Sequence, residues 1–328
     1  MFKNKRILVT GATGSWGHQL IKKLLEQDPK EIRVFSRNES KQVEMMRNFA
    51  DERLKFVIGD IKERDSLIVA CQQIDYLFHL AALKHVPVCE DQPLEALKTN
   101  VQGTQNVIDA AIINNVRKVI YISTDKAANP SNFYGLSKAM GERLIIHANT
   151  LNTRTKFVTV RGGNVLGTTG SVIHVFKKQI QEEGEVGITD FRMTRFFLTI
   201  EEAIELLFMA SNESIGGEIF VMKMPTCRII DIAEVLIEDS GKQDVKIKQL
   251  GIRPGEKIHE ILFSENESDQ TIHYNEDYYV VLPSLNIKGL KEHYKAYKPV
   301  KHGSYNSNFN LMSRAELKEL LKKGGFLS

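Results

Sequence analysis

Tyr134 and Lys138 stand four residues apart in the middle of the chain, the spacing that puts two side chains on one face of a helix. A phenol beside an ammonium is a proton acceptor in waiting. The positive charge lowers a phenol pKa from its ordinary value of about 10, readying the oxygen to take a hydroxyl proton as hydride leaves the same carbon. Thr124, at the end of the strand expected just before that helix, can hydrogen-bond the same hydroxyl. Asp125 and Lys126 follow at once, an acid and a base side by side. Adjacent side chains on an extended segment point apart, but the turn begun by Ala127-Ala128-Asn129-Pro130 can bring both toward one substrate.

These residues need a frame, and the first half of the chain supplies one. Short apolar runs at Ile7–Thr10, Ile32–Ser36, Lys55–Ile58, Tyr76–Leu80, Val119–Ser123 and Phe157–Val160 read as strands. Amphipathic segments between them, such as His18–Leu25, Ser66–Gln73 and Glu95–Asn114, read as helices. Strands that are continuously apolar are buried on both faces, and βαβ repetition requires parallel pairing. The fold class expected is α/β, a doubly wound parallel sheet of the Rossmann kind. Residues 1–165 form the dinucleotide-binding part. Beyond 165 the regularity fades, with Ile200–Met209 the clearest helix and Glu218–Val221 the clearest strand, and 166–328 is expected to be a smaller substrate-binding lobe interleaved with the sheet. A ligand then belongs between the lobes, at the carboxyl ends of the strands.

The turn after the first strand reads Gly11-Ala12-Thr13-Gly14-Ser15-Trp16-Gly17. Glycines so spaced allow a tight turn, close approach of backbone to a pyrophosphate, and packing of helix on strand. Thr13, Ser15 and Trp16 lie in the same cradle. A dinucleotide lacking a 2′-phosphate usually meets Asp or Glu at the end of the second strand. Here that end is Ser36-Arg37-Asn38, which favours NADP, with NAD the alternative and Arg37 an exposed loop cation if so. Gly59-Asp60 after the third strand is placed to meet the adenine edge, or is simply a turn.

Composition excludes several other classes. The 328 residues are 42% hydrophobic and 26% charged, ordinary for a globular chain, so long disorder is not expected. A net charge of +3 from 44 basic and 41 acidic residues is too balanced for a nucleic-acid binder. Three cysteines without a CxxC spacing argue against a disulfide framework or a zinc site, and no metal is expected. No apolar run approaches the roughly 20 residues of a membrane span. The chain runs directly into a strand at Arg6, which leaves no room for a leader and points to the cytoplasm.

Together, the glycine turn, Tyr134 and Lys138 resemble the extended short-chain dehydrogenase/reductases. Five segments narrow the resemblance: His79-Leu-Ala-Ala-Leu-Lys-His-Val-Pro87, Ser123-Thr-Asp-Lys-Ala127, Asn164-Val165, Arg192-Met-Thr-Arg-Phe196 and Gly251-Ile-Arg-Pro-Gly-Glu-Lys257. They are similar to those of the UDP-N-acetylglucosamine 4,6-dehydratases, in particular the inverting type that opens the pseudaminic acid route, over almost the whole chain. The resemblance implies that Ala81 and Ala82 line the cofactor. It also implies that Lys84, His85, Asn164, Ser171, Val172, Arg195, Arg253 and Glu256 meet a UDP-sugar, Arg253 at the pyrophosphate and Glu256 at the ribose. For His85 a structural role stays open. A guanidinium is the expected partner of a bridging phosphate. A homo-oligomer, dimer or hexamer, is implied as well.

The Asp125–Lys126 pair fits that chemistry. Oxidation at carbon 4 acidifies the carbon-5 proton, a base must take it, and an acid must protonate the hydroxyl leaving carbon 6. Lys126 serves as base if its pKa is lowered, Asp125 as acid if its pKa is raised. The chain departs from the family pattern in four places. Gly162 replaces an aromatic, Thr169 an arginine, His174 a proline, and Trp16 a phenylalanine. Loss of an aromatic and a cation near the sugar keeps a second reading open: a sister oxidoreductase or epimerase acting on a later, 4-keto or 5,6-unsaturated, intermediate.

Overall fold

The computed structural model describes residues 1–151, 153–167, 171–301 and 303–327. Thr169 lies outside them.

Six strands follow the expected runs: β1 (Arg6–Thr10), β2 (Glu31–Ser36), β3 (Leu54–Ile58), β4 (Tyr76–His79), β5 (Lys118–Thr124) and β6 (Lys156–Gly162). They pair in parallel in the order β6-β5-β4-β1-β2-β3, so the chain reverses its winding between β1 and β4. That reversal point lies at the carboxyl ends of the two strands, where ligands of open α/β sheets bind.

The same sheet runs on into the second half of the chain. Ile219–Met222 pairs parallel with β6, and the antiparallel strands Tyr278–Val281, Thr271–His273 and Lys298–Pro299 complete ten strands. Four of the ten therefore come from beyond residue 165. The remainder of the second half has its own core of Leu166, Ile173, Phe176, Phe197, Ile232, Leu236 and Leu321, under the helices Val172–Glu182, Ile229–Ser240 and Arg314–Lys323.

Helix starts and ends differ from the sequence expectation where local chemistry decides them. The first helix, α1 (Ser15–Leu25), begins inside the glycine turn rather than at His18. The segment expected as one helix over Glu95–Asn114 contains a wide π-helical stretch, Leu97–Gln102. Such stretches insert a residue into the helical ladder and turn side chains to new partners. Here Asn100 is turned inward, where its Nδ2 donates to Leu83 O and Ser137 Oγ while its Oδ1 accepts from Leu83 N.

Candidate active site

β5 ends at Thr124, and the chain enters a 3-10 turn, Asp125–Ala127. Thr124 Oγ1 caps that turn, accepting from Lys126 N at 3.4 Å and donating to Asp125 Oδ1 at 2.9 Å. The tight turn folds Lys126 back on its neighbour, so Nζ donates to Asp125 Oδ1 at 3.0 Å. Tyr134 opens the helix Phe133–Ala148, capped by Asn132 Oδ1 on Gly135 N and by the Glu90 carboxylate on Phe133 N. A Cβ on Gly135 would collide with Lys126 O. Only glycine lets the helix start sit on the Thr124–Lys126 turn, and there the Tyr134 hydroxyl faces that of Thr124.

Burial reshapes the protonation expected from sequence, and two expectations are corrected. Lys138 is buried, and desolvation lowers its pKa to about 7. Its Nζ lies 3.9 Å over the Tyr121 ring, a cation–π contact. Tyr134 is pushed up to about 12 by burial, and the ammonium that opposes this is Lys126, not Lys138. Lys126 itself is raised, not lowered. Burial alone would lower it, but the Asp125 and Glu260 carboxylates outweigh that. Asp125 is raised as expected for an acid, chiefly by burial. At rest Lys126 is thus an ammonium.

The glycine turn has the form of a dinucleotide cradle. Gly11 sits at φ +67°, and a Cβ there would lie 2.7 Å from the Ala81 backbone. A Cβ on Gly17 would collide with Ala12 O, so α1 can press on the turn only as glycine. Gly14 is exposed, and a Cβ on it would touch only Gly11 O at 3.5 Å. An open backbone surface at the positive end of α1, with no acidic residue in the first turn, suits a pyrophosphate. The Ala81–Ala82 loop beside it is held from behind by a buried chain. Thr10 Oγ1 and His79 Nδ1 are 2.8 Å apart, and His79 Nε2 and Thr104 Oγ1 3.1 Å, before Asn100 and Leu83. Burial drops His79 to about 3, so the ring is neutral and serves as a strut. At the end of β2, Ser36 is buried with its Oγ accepting from Gln42 Nε2. Exposed Arg37 reaches Asp60 at 3.6 Å, and Lys62 reaches the same carboxylate at 3.6 Å.

Trp16 and Gly162, two departures from the family pattern, face each other. A Cβ on Gly162 would lie 3.3 Å from Trp16 Cη2. The larger indole stands where an aromatic at 162 would otherwise project, so the loss at Gly162 is matched by a gain at Trp16.

Other sequence candidates fall at the same end of the sheet with different surroundings. Lys84 and His85 are exposed after β4. Asn164 is half-buried on a short strand beside Phe197. Ser171 stands at the N-cap of the Val172–Glu182 helix without capping it, and its Oγ is buried with no hydrogen-bond partner among the described residues. Arg195 directs its guanidinium inward, donating to the carbonyls of Thr194, Lys257 and Ile258. Arg253 is exposed on the Gly251–Lys257 loop, where the Glu256 carboxylate accepts from Arg253 N. Ser131 and Asn132 both donate to Gly255 O, tying that loop to the entry of the Tyr134 helix.

Three residues of this region escaped the sequence reading. Asn100 carries no motif that reveals its inward turn. Glu260 and Lys257 sit over a hundred residues from the catalytic turn yet close on it, Glu260 Oε1 lying 3.3 Å from Lys126 Nζ. The Gly251–Lys257 motif that precedes Glu260 was the available signal. Among the described residues no cluster of side chains has the makings of a metal site, and no helix is long and apolar enough to cross a membrane.

A doubly wound parallel sheet with a glycine cradle on its first strand and a tyrosine–lysine helix after its fifth defines a short-chain dehydrogenase/reductase fold. Within that class the chain belongs to the polysaccharide biosynthesis protein family, whose model matches residues 7–282. It is 42% identical over 336 residues to a UDP-N-acetylglucosamine 4,6-dehydratase (inverting) of Campylobacter jejuni, covering 98% of each chain. It is 39% identical over 329 residues to a UDP-glucose 4-epimerase of Rickettsia bellii, covering 98% of this chain and 96% of the other. The solved structure of Pen from Bacillus thuringiensis superposes with a TM-score of 0.93 at 39% identity, covering both chains completely.

Proposed function

We propose that the protein is a UDP-N-acetylglucosamine 4,6-dehydratase that inverts carbon 5, acting in the cytoplasm in the synthesis of a pseudaminic acid-type surface sugar. One observation carries this reading. An acid and a base, Asp125 and Lys126, share a hydrogen bond on the turn that also holds Thr124 against Tyr134. Oxidation and reduction at carbon 4 need only Tyr134, Thr124 and Lys138, whereas loss of water across carbons 5 and 6 needs a further base and a further acid.

The residues divide the work accordingly. Tyr134 is a phenol at rest, so its own proton first passes to the Lys138 amine on the same helix face, which burial leaves part-neutral with a pKa of about 7. Oη then takes the carbon-4 hydroxyl proton, with Thr124 Oγ1 aligning the hydroxyl. A nicotinamide dinucleotide held by Gly11–Gly17 and Ala81–Ala82 would supply the hydride acceptor and later the donor, so no redox equivalent is consumed. Lys126 is an ammonium at rest and first passes a proton along its 3.0 Å bond to Asp125 Oδ1. This one shift arms both groups. Nζ gains the lone pair that takes the carbon-5 proton, and the Asp125 carboxyl gains the proton that leaves with the carbon-6 oxygen as water. Afterward Lys126 is an ammonium and Asp125 a carboxylate again. Arg253 would neutralise the diphosphate and Glu256 meet the ribose, from a loop already pinned to Ser131 and Asn132.

Ser36 and Arg37 favour NADP over NAD, since neither is the carboxylate that greets a free ribose hydroxyl. Arg37 can turn from Asp60 to a 2′-phosphate. We read the protein as a homo-oligomer. Leu94, Leu97, Leu136 and Met140 are exposed on neighbouring helical segments, an apolar face suited to a second copy.

The deciding experiment is to incubate purified protein with UDP-N-acetylglucosamine and follow products by mass and NMR. The expected product has lost one water and carries a 4-keto group and a 6-methyl. An isomer of unchanged mass inverted at carbon 4 would assign an epimerase. No turnover, together with turnover of a 4-keto or 5,6-unsaturated derivative, would assign the sister reading. Nucleotide extracted from the purified protein should be NADP(H), and pure NAD would refute the role given to Arg37.

A further inference from the structure

Glu260 comes from the segment between the Gly251–Lys257 loop and the strand Ile261–Phe263, far in sequence from the catalytic turn. It is 3% exposed. Its Oε1 lies 3.3 Å from Lys126 Nζ and 3.7 Å from Arg195 Nε. Lys126 Nζ is therefore held between two buried carboxylates, Asp125 on its own turn and Glu260 from the opposite lobe. Three polar atoms around it are buried without a hydrogen-bond partner among the described residues: Asp125 Oδ2, Glu260 Oε2 and Lys257 Nζ. Burying three charged groups so incompletely paired is costly, and such cost is met in proteins chiefly where the site has work to do.

Glu260 is itself fixed. Its backbone N–H donates to Ser307 Oγ at 2.9 Å, and Arg195, anchored on three carbonyls, flanks the carboxylate. A rigid acid is thus aimed at a side chain that is four flexible carbons long. We propose that Glu260 is a positioning residue for the elimination half of the reaction, holding Lys126 Nζ at the site where the carbon-5 proton leaves.

The idea rests on the reading of Lys126 as the carbon-5 base, and deepens it. The charges facing Lys126 are Asp125 and Glu260, which favour its proton, and Arg195 and Lys257, which oppose it, with Tyr134 also adjacent. Glu260 keeps its negative charge. Burial would protonate it, but Lys126, Arg195 and Lys257 outweigh burial. It fixes Nζ in place while the proton is passed to Asp125. Because Glu260 follows the loop assigned to the diphosphate by a few residues, seating of the nucleotide and aiming of the base depend on one segment.

The test is Glu260→Gln, with Glu260→Asp as the conservative partner, in the cofactor-loaded protein. Competitive acetylation of Lys126 with acetic anhydride across pH, read by peptide mass, needs no substrate. In Glu260→Gln the labelling midpoint should fall by about 1–3 pH units, the effect of removing an opposite charge at contact, and Glu260→Asp should recover most of it. An unchanged midpoint in folded Glu260→Gln overturns the proposal, as does a Glu260→Asp midpoint no higher than that of Glu260→Gln. Should Glu260→Gln fail to fold, wild type decides. Lys126 should resist acetylation beyond the pH at which surface lysines react, and labelling as freely as a surface lysine overturns the proposal. With substrate, Glu260→Gln should lower kcat by about 10–100-fold with KM within about threefold, as expected of misplacement rather than lost binding. Carbon-5 deuterium exchange should slow by the same factor while carbon-4 oxidation keeps its wild-type rate. Failure of wild type to dehydrate UDP-N-acetylglucosamine would instead sink the functional reading, leaving the labelling result to judge Glu260 by itself.

Discussion

The facing of Trp16 and Gly162 makes a quantitative prediction about two positions far apart in sequence. A tyrosine at 162 would start from a Cβ 3.3 Å from Trp16 Cη2, and its ring, projecting farther, would overlap the indole. Gly162 is buried at the end of β6, paired with Thr124, so the strand has little freedom to retreat. Overpacking of this kind costs about 1–3 kcal/mol. Trp16→Phe alone removes part of the indole and leaves a void, for a loss of about 1–2 kcal/mol. The double variant Trp16→Phe with Gly162→Tyr places the aromatic on the other wall of the same space. It should come within about 1 kcal/mol of the parent, giving a coupling of about 2 kcal/mol. Denaturant unfolding of the four proteins measures the cycle, and titration with cofactor shows whether the cradle recovers with the fold. Additivity to within about 0.5 kcal/mol would mean that the two side chains do not share one space, and would restore Gly162 as a true enlargement of the pocket.

Three further outcomes are expected. Tyr134→Phe should lower turnover on the order of 10²–10⁴-fold while leaving cofactor affinity intact; the quench of Trp16, the sole tryptophan and part of the cradle, by bound reduced nicotinamide measures that affinity. Arg253→Ala should weaken UDP by about 1.5–3 kcal/mol in calorimetry, and an unaltered Kd would turn the Gly251–Lys257 loop away from the diphosphate. Arg161, buried and bonded to Glu142 and Glu267, supports stability rather than chemistry. Arg161→Met strands both carboxylates and should cost about 3–5 kcal/mol in unfolding measurements. The same pair sets an acid limb. Burial would raise Glu267, but Arg161 outweighs it and holds the carboxyl below its ordinary 4.5. The resulting stability is complete above that value and is lost as pH falls through the lower native one. In Arg161→Met this acid loss should flatten.

Much of the molecule is written locally. The parallel sheet follows from apolar runs long enough to be buried on both faces, and β1 to β6 lie within a residue or two of those runs. The cradle follows from glycines, because a positive φ at Gly11 and the contact of Gly17 with Ala12 are steric demands that a short stretch of chain states by itself. The Tyr134–Lys138 spacing likewise needs nothing beyond a helix. Protonation was not legible in this way. Lys138 and Lys126 are the same residue type near the same turn, yet one is pushed down to about 7 and the other upward. Burial acts on both, and what separates them is whether carboxylates lie in contact. Asp125 is next to Lys126 in the chain, but Glu260 reaches it only because the second lobe folds over the carboxyl ends of the strands. The exchange of bulk between Trp16 and Gly162 is of the same kind. Each residue looks like an isolated departure until β6 and the start of α1 are brought side by side. Sequence determines what a segment does with its own neighbours, whereas desolvation and contact between distant segments are properties of the assembled fold, and they decide which nitrogen keeps its proton.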